Sequence, residues 1–197
     1  TVFGALFGGI PTNKFGRKKT LIWIGVFYFV SAIGSSLVND PYLFAFFRFI
    51  GGIGVGASTI AAPAYVSEIS PANDRGRLVA LYQFNIVLGI LIAFLSNYLL
   101  RDIGENAWRW MFGIEAFPAL IYTVLIFTVP NSPRWLISKN RDAKAREVLE
   151  LINPDENPEK LLLEIKIEND SHAEGENIFM KKYRFPLILA FLIAFFN

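Results

Sequence analysis

Four long stretches of this chain carry almost no charge, and they constrain its fold more than any other feature. They cover residues 21–38, 41–66, 78–100 and 111–130. A helix rises about 1.5 Å per residue, so each stretch is about long enough to cross the ~30 Å hydrocarbon core of a bilayer. Apolar residues form 53% of the chain, and 19 of its 197 residues are phenylalanine. The sequence therefore predicts an all-α membrane protein.

Two shorter apolar segments lie at the ends of the chain. The first spans residues 1–10 without an initial Met, and the last begins near Phe185 and stops at Asn197. We therefore expect a fragment that is truncated at both ends, with the start of a further helix at 184–197. The transmembrane bundle is predicted over residues 1–130, with helices at approximately 1–11, 20–38, 41–66, 78–100 and 109–130.

Basic residues alternate between successive connections. They are dense at 11–20, 67–77 and 131–184, and sparse at 39–40 and 101–108. Loops that are rich in Lys and Arg stay in the cytoplasm, so the first three connections are predicted to be cytoplasmic and the other two external. This pattern predicts an integral multi-pass protein of the cell membrane.

The long connection, residues 131–183, is predicted to be a helical cytoplasmic linker. Ser132-Pro133 and Asn157-Pro158 each combine an N-cap residue with a proline at the first helical position. The segment 141–151 has a helical apolar stripe, and 158–168 is a second short amphipathic pattern. Residues 169–176 are polar, and we expect them to be flexible.

Two charged residues lie inside the predicted spans. Arg48 interrupts the apolar run 41–66, and Glu115 is the acid inside 111–130. A charge in the hydrocarbon region is costly unless it faces the bundle interior and finds a partner, so these two side chains are predicted to pair. The pair either serves conformational coupling or is a static buried ion pair that orients helices.

Glycines are frequent in the same region. Gly51, Gly52, Gly54 and Gly56 follow Arg48, and Gly4 and Gly8 lie in the first segment. Small residues allow membrane helices to approach closely, so we expect helix packing here. A dinucleotide-binding loop is not predicted, because the glycines lie within a span and no strand precedes them.

A polar stripe follows one face of the span 78–100. At about 100° per residue, Ile90 falls about 20° from Gln83, Asn97 about 40° and Ile86 about 60°. Neutral amides beside aliphatic surface match a sugar, which has hydroxyls that need donors and acceptors and also apolar C–H faces. The alternative for Gln83 is an interhelical hydrogen bond.

The order and spacing of several motifs resemble the sugar porter family of the major facilitator superfamily. Residues 8–19 are similar to the family's G-x-x-x-D-R-x-G-R-R/K motif, although Asn13 and Lys14 replace its Asp and Arg. Residues 130–134 resemble its P-E-S-P-R motif, with Asn131 in place of the acid, and the WRWMF run at 108–112 also fits. The resemblance implies a twelve-helix, two-domain transporter with alternating access, of which this chain holds helices two to early seven.

The resemblance also implies roles for individual residues. Gln83, Ile86 and Ile90 match positions that line the sugar pocket. Arg48 and Glu115 match a pair near an acid on helix one, which takes part in proton coupling in proton-coupled members. A cytoplasmic gate is implied for the matching residues Arg17, Glu68, Arg75 and Arg134. Without an acid at position 131, the gate is expected to be weaker or to use different ion pairs. The alternative is that these residues are solvated surface charges without a gating role.

The predicted function is transmembrane transport of a monosaccharide or similar polyol, either as proton symport or as facilitated diffusion. The alternatives are a membrane sugar sensor that does not transport and a porter of a non-sugar organic solute. The expected partners are the sugar, the bilayer, protons and the C-terminal half of the same protein, with no nucleic acid. No cofactor, metal or enzymatic activity is predicted, because the sequence has no cysteine, phosphate loop or nucleophile–base pair.

Overall fold

A computed structural model of the chain describes residues 1–71, 74–154 and 156–173, with backbone alone at residue 75 and residues 169–173. All regular secondary structure in these residues is helical. The helices are α1 (Val2–Phe7), α2 (Gly9–Phe15), α3 (Arg17–Leu37), α4 (Pro41–Ile69), α5 (Arg75–Leu100), α6 (Ala107–Gly113), α7 (Ala116–Thr128), α8 (Pro133–Ser138), α9 (Asp142–Ile152) and α10 (Pro158–Ala173). The predicted start of a helix at 184–197 lies outside the described residues.

Within the described residues, four helical segments are long and apolar enough to cross a membrane. They are Arg17–Leu37, Pro41–Ile69, Gly76–Leu100 and Ala107–Thr128. Several helices extend past the predicted bounds: α2 continues to Phe15, α3 begins at Arg17 and α4 ends at Ile69. The physical reason is that charge marks the edge of the hydrocarbon region, whereas a helix can continue with polar residues.

The helix starts have local causes in the sequence. At α4, the Asp40 carboxylate accepts hydrogen bonds from the N–H groups of Tyr42 and Leu43, at 2.8 and 2.9 Å. At α8, the predicted cap is confirmed, because the Ser132 hydroxyl accepts from the Trp135 N–H at 3.2 Å. Each bond satisfies an N–H group that has no partner within its own helix.

The bundle packs around α3, α4 and α7. Its buried core joins Leu21 and Ile24 of α3 to Ala57 and Ala61 of α4 and Ile126 of α7. The predicted close packing at glycine is confirmed between α1 and α4. A Cβ atom added at Gly4 would lie 2.2 Å from the Ile53 carbonyl oxygen, so that only glycine permits this approach.

The last three described helices form a smaller cluster. Trp135, Leu136 and Ile137 of α8 and Ala145 of α9 make its buried core, and Leu162 and Ile165 of α10 pack against it. Residues 169–176 were predicted to be flexible and stay a prediction in that respect, and the described part of this segment continues α10 as helix to Ala173. The segment follows an established helix, which continues at little cost once it has been nucleated.

Candidate functional site

Arg48 and Glu115 meet between helices, where their side chains are 33% and 50% exposed. The Arg48 Nη1 lies 3.3 Å from the Glu115 Oε2, which joins α4 to the turn before α7. Both side chains line a cavity of about 540 Å³, together with Tyr28, Ser31 and Tyr122 from α3 and α7. The sequence-predicted pair is therefore present, and it borders a space that a small polar molecule or another side chain could occupy.

Aromatic rings surround the Arg48 guanidinium, a feature that sequence reasoning missed. The guanidinium carbon lies 3.9 Å from the Phe112 ring centre and 5.8 Å from that of Phe44. The Nε and Nη2 atoms are buried and have no hydrogen-bond acceptor among the described residues. Ring faces carry negative potential, so these cation–π contacts stabilise a charge that hydrogen bonds satisfy only in part.

A break in the last span positions Glu115. Helix α6 ends at Gly113 and α7 begins at Ala116, where one continuous helix was predicted over 109–130. Pro118 has no N–H to donate to the carbonyl of Ile114, four residues earlier. The Phe117 N–H donates to that carbonyl instead, at 3.2 Å, which tightens the turn around Glu115.

The Gln83 stripe lies on one face of a continuous helix. Gln83, Ile86, Ile90 and Asn97 all belong to α5, so the spacing that places them together is preserved. All four side chains are exposed, with Ile90 at 52%. None of them lines the Arg48–Glu115 cavity. The described helices therefore leave this face available to another part of the protein, to lipid or to a ligand.

A second charged site, the Glu68 junction, joins α3, α4 and α8 and consists of Arg17, Glu68, Ser132 and Trp135. The Arg17 Nη2 lies 2.8 Å from the Glu68 Oε1, and the two side chains are only 18% and 11% exposed. The Ser132 hydroxyl donates to the other Glu68 oxygen. One carboxylate thus connects the starts of α3 and α8 to the end of α4.

Gly16 makes this geometry possible. Its φ of 93° and ψ of 155° turn the chain sharply between α2 and α3, so that Arg17 reaches Glu68. The Trp135 ring covers the glycine, and a Cβ atom there would lie 2.8 Å from a ring carbon. The Trp135 Nε1–H donates to the Asn13 carbonyl at 3.2 Å. The role of Trp135 was not apparent from the sequence.

The partner of Arg134 differs from the implied gate, which grouped this residue with Glu68. The structure instead pairs Arg134 with Glu168 of α10, through two contacts of 2.7 and 3.1 Å. Glu68 is already satisfied by Arg17 and Ser132, and position 131 offers no carboxylate, so Arg134 pairs with an acid of the smaller helical cluster. Of Arg75, the structure describes the backbone alone.

Arg109 is a further charged group that sequence reasoning did not single out. Its Nη1 donates to the carbonyls of Ser36 and Leu37 at 3.0 and 3.1 Å, and its Nη2 donates to Asn39. These carbonyls end α3, where the helix dipole favours a cation. An Arg close to the end of a charge-free span was the signal that could have revealed this contact.

Apolar helices of membrane-spanning length, packed beside the partly exposed Arg48–Glu115 pair and joined by charged contacts at one end, are the architecture of an integral membrane protein. No group of His, Cys, Asp or Glu in the described part of the chain could hold a metal ion. A family model described as "Sugar (and other) transporter" matches residues 1–197. The chain belongs to this family.

Curated relatives agree with this assignment. The chain is 43% identical over 160 residues to the glucose transport protein of Synechocystis sp., covering 76% of this chain and 34% of the relative. It is 36% identical over 175 residues to the D-xylose-proton symporter of Escherichia coli K12, covering 77% and 36%. Against the major myo-inositol transporter IolT of Bacillus subtilis the identity is 35%, covering 94% and 40%. The chain thus spans roughly two fifths or less of these relatives.

Solved structures show the same fold. The partially occluded inward-open conformation of the xylose transporter XylE from E. coli superposes with a TM-score of 0.82 at 33% identity, covering 87% of this chain and 46% of that chain. A sugar-bound structure, that of the proton:xylose symporter XylE with 6-bromo-6-deoxy-D-glucose, gives a TM-score of 0.81 at 34% identity, covering 86% and 41%. The predicted all-α major facilitator fold is therefore confirmed.

Proposed function

We propose that the full-length protein containing this chain carries a monosaccharide or similar polyol across a membrane by alternating access. The observation that carries the proposal is the face of α5, where Gln83 and Asn97 stand beside Ile86 and Ile90 and are left uncovered by the described helices. Neutral amides can donate to and accept from sugar hydroxyls, while the isoleucines contact C–H surface. The named relatives support this class, since they transport glucose, xylose and inositol.

Arg48 and Glu115 serve as the coupling pair in this proposal. Their contact joins α4 to the α6–α7 break, so a change in the charge or position of either side chain would be transmitted between two spans. A proton symport mechanism and facilitated diffusion both remain compatible with this role. The E. coli relative that is named a proton symporter favours the first.

Arg17, Glu68, Arg75 and Arg134 form the cytoplasmic gate of the proposed transporter. The Arg17–Glu68 pair holds the ends of α3 and α4 together, and the contact of Arg134 with Glu168 connects α8 to α10. Separation of these helix ends would open the same side of the bundle.

The proposed topology places residues 1–130 in the membrane and residues 131–183 in the cytoplasm as a helical linker. Residues 184–197 then begin the next span, and the protein lies in the cell membrane. The chain has no cysteine. Single substitutions Lys139→Cys and Asp102→Cys can therefore be labelled with an impermeant maleimide, provided the rest of the protein is made cysteine-free. In intact cells Asp102→Cys should react and Lys139→Cys should not.

Uptake by the full-length protein in proteoliposomes tests the transport proposal. Labelled glucose, galactose, xylose and inositol are supplied in turn, and Gln83→Ala is compared with Asn85→Ala. Asn85 is an exposed amide that points to nearly the opposite side of α5, so it controls for the loss of an amide in this helix. We expect saturable uptake of at least one sugar, strongly reduced by Gln83→Ala and little changed by Asn85→Ala.

Other results would favour the alternatives. Absence of uptake by a folded, inserted protein that still binds a sugar would indicate a sensor. Uptake of a non-sugar solute alone would indicate a different porter class. Equal effects of Gln83→Ala and Asn85→Ala would place the sugar pocket elsewhere, even if transport itself were established.

A further inference from the structure

An apolar groove opens on the surface of the helix bundle between α1, α2 and α3. Its volume is about 400 Å³, and α4 forms its floor through Ile53 and Ala57. The walls are largely aromatic, with Phe3, Phe7, Phe15, Trp23 and Phe27 among them. Trp23 is 61% exposed, and the phenylalanines of α1 and α2 are similarly exposed. This aromatic surface is therefore uncovered by the residues that the structure describes.

Two exposed lysines are sequence neighbours of residues that line this groove. Lys14 precedes the groove residue Phe15, and its Nζ lies 5.6 Å from the centre of that ring. Lys19 precedes Thr20, which also lines the groove. Both lysines are exposed, and neither forms an ion pair with any residue in the described ranges.

The other basic residues of this segment are engaged elsewhere. Arg17 pairs with Glu68, and the Lys18 Nζ donates to the Phe127 carbonyl at 2.9 Å. Arg17 and Lys18 thus contact the helix bundle, whereas Lys14 and Lys19 form no ion pair within the described residues and lie next to groove residues in the sequence. The unpaired charges adjoin a long apolar surface in a protein that lies in a bilayer.

We propose that this groove is a binding site for an anionic phospholipid. One acyl chain lies against the aromatic walls, and the phosphate lies between Lys14 and Lys19. The ammonium groups attract a phosphate at the bilayer surface, and the apolar groove provides contacts that a soluble anion cannot make. A zwitterionic lipid would use the same groove but would gain less from the lysines, because its head group carries no net charge.

Lipid retention by the purified full-length protein tests the site independently of transport. The protein is exchanged into mixed micelles with equal amounts of phosphatidylglycerol and phosphatidylcholine, and bound lipids are counted by native mass spectrometry. We expect a preference for phosphatidylglycerol. Each lysine should increase the preference for phosphatidylglycerol over phosphatidylcholine about fivefold. The double variant Lys14→Gln, Lys19→Gln should therefore reduce this preference by about 25-fold. The double variant Lys139→Gln, Lys144→Gln removes two other exposed lysines and should retain it.

The groove itself is tested by Trp23→Ala, with Phe94→Ala as control. Phe94 is an aromatic residue of α5 that is 72% exposed and does not line the groove. Trp23→Ala should reduce the retention of both lipids, and Phe94→Ala should not. Soluble glycerol phosphate, which has no acyl chain, should not displace the lipid.

Three outcomes would overturn the proposal. Equal losses in the Lys14/Lys19 and Lys139/Lys144 variants would indicate unspecific attraction to basic residues. Displacement by glycerol phosphate would indicate an anion site without an acyl chain. Retention of neither lipid would indicate that another part of the protein covers the groove. A sugar transport assay that failed would leave all these lipid measurements unaffected.

Discussion

Gly16→Ala should be among the most destabilising small substitutions in this chain. The glycine has a φ of 93° and a ψ of 155°, a combination that residues with a Cβ atom essentially never adopt. An added Cβ would also lie 2.8 and 2.9 Å from two carbons of the Trp135 ring. The backbone strain costs about 1–3 kcal/mol, and overpacking against a buried ring typically costs a further 1–3 kcal/mol. The expected loss of stability is therefore about 2–6 kcal/mol.

Thermal unfolding of the full-length protein in detergent measures this loss, and Gly89→Ala provides the matched control. A Cβ at Gly89 would meet no atom within 4 Å, and the residue lies inside α5, where alanine is the better helix former. We expect a melting temperature at least about 5 °C lower for Gly16→Ala and little changed or higher for Gly89→Ala.

A second variant separates the two causes of destabilisation. When Gly16→Ala is added to Trp135→Leu, the ring contact is already gone and only the cost of the positive φ is left. Gly16→Ala should therefore lower the melting temperature less in the Trp135→Leu protein than in the unsubstituted protein. If Gly16→Ala melted like Gly89→Ala, the turn would not be fixed beneath Trp135, and the role assigned to Gly16 in the Glu68 junction would fail.

Three further perturbations test the charged contacts by the same unfolding measurement. Arg17→Gln and Glu68→Gln, alone and together, should give a coupling energy of about 1–3 kcal/mol, because each side chain is mostly buried against the other; a coupling near zero would contradict the pairing. Arg109→Lys should destabilise by about 1 kcal/mol, since one ammonium cannot reach both carbonyls at the end of α3 and the Asn39 side chain as the guanidinium does. Arg101→Lys, at an exposed pair, should have no effect. Phe112→Leu should lose about 0.5–2 kcal/mol of cation–π interaction with Arg48, whereas Phe112→Tyr should retain it. Equal losses of stability in the two variants would argue against this interaction.

Much of the fold followed from local properties of the sequence. The length of each charge-free run located the spans, and the Ser132-Pro133 pair located the start of α8, because caps and hydrophobic length act within a few neighbouring residues. The cost of an isolated charge in hydrocarbon left Arg48 with Glu115 as its evident partner, and the structure places the two in contact. The functional roles of this pair and of the Gln83 stripe stay predictions.

The tertiary structure decided which partner each remaining charged group has. The sequence offers several acidic residues as possible partners for Arg134. The packing of α8 against α10 selects Glu168 instead of Glu68. The Phe112 ring beside Arg48 and the Trp135 ring over Gly16 likewise join residues far apart in the chain. The sequence by itself determined which segments are helical, since helix formation depends on short-range energies, but not where each helix ends or that the span 109–130 is broken before Ala116. Ion pairs and ring contacts depend on the distances between helices, which no local pattern specifies.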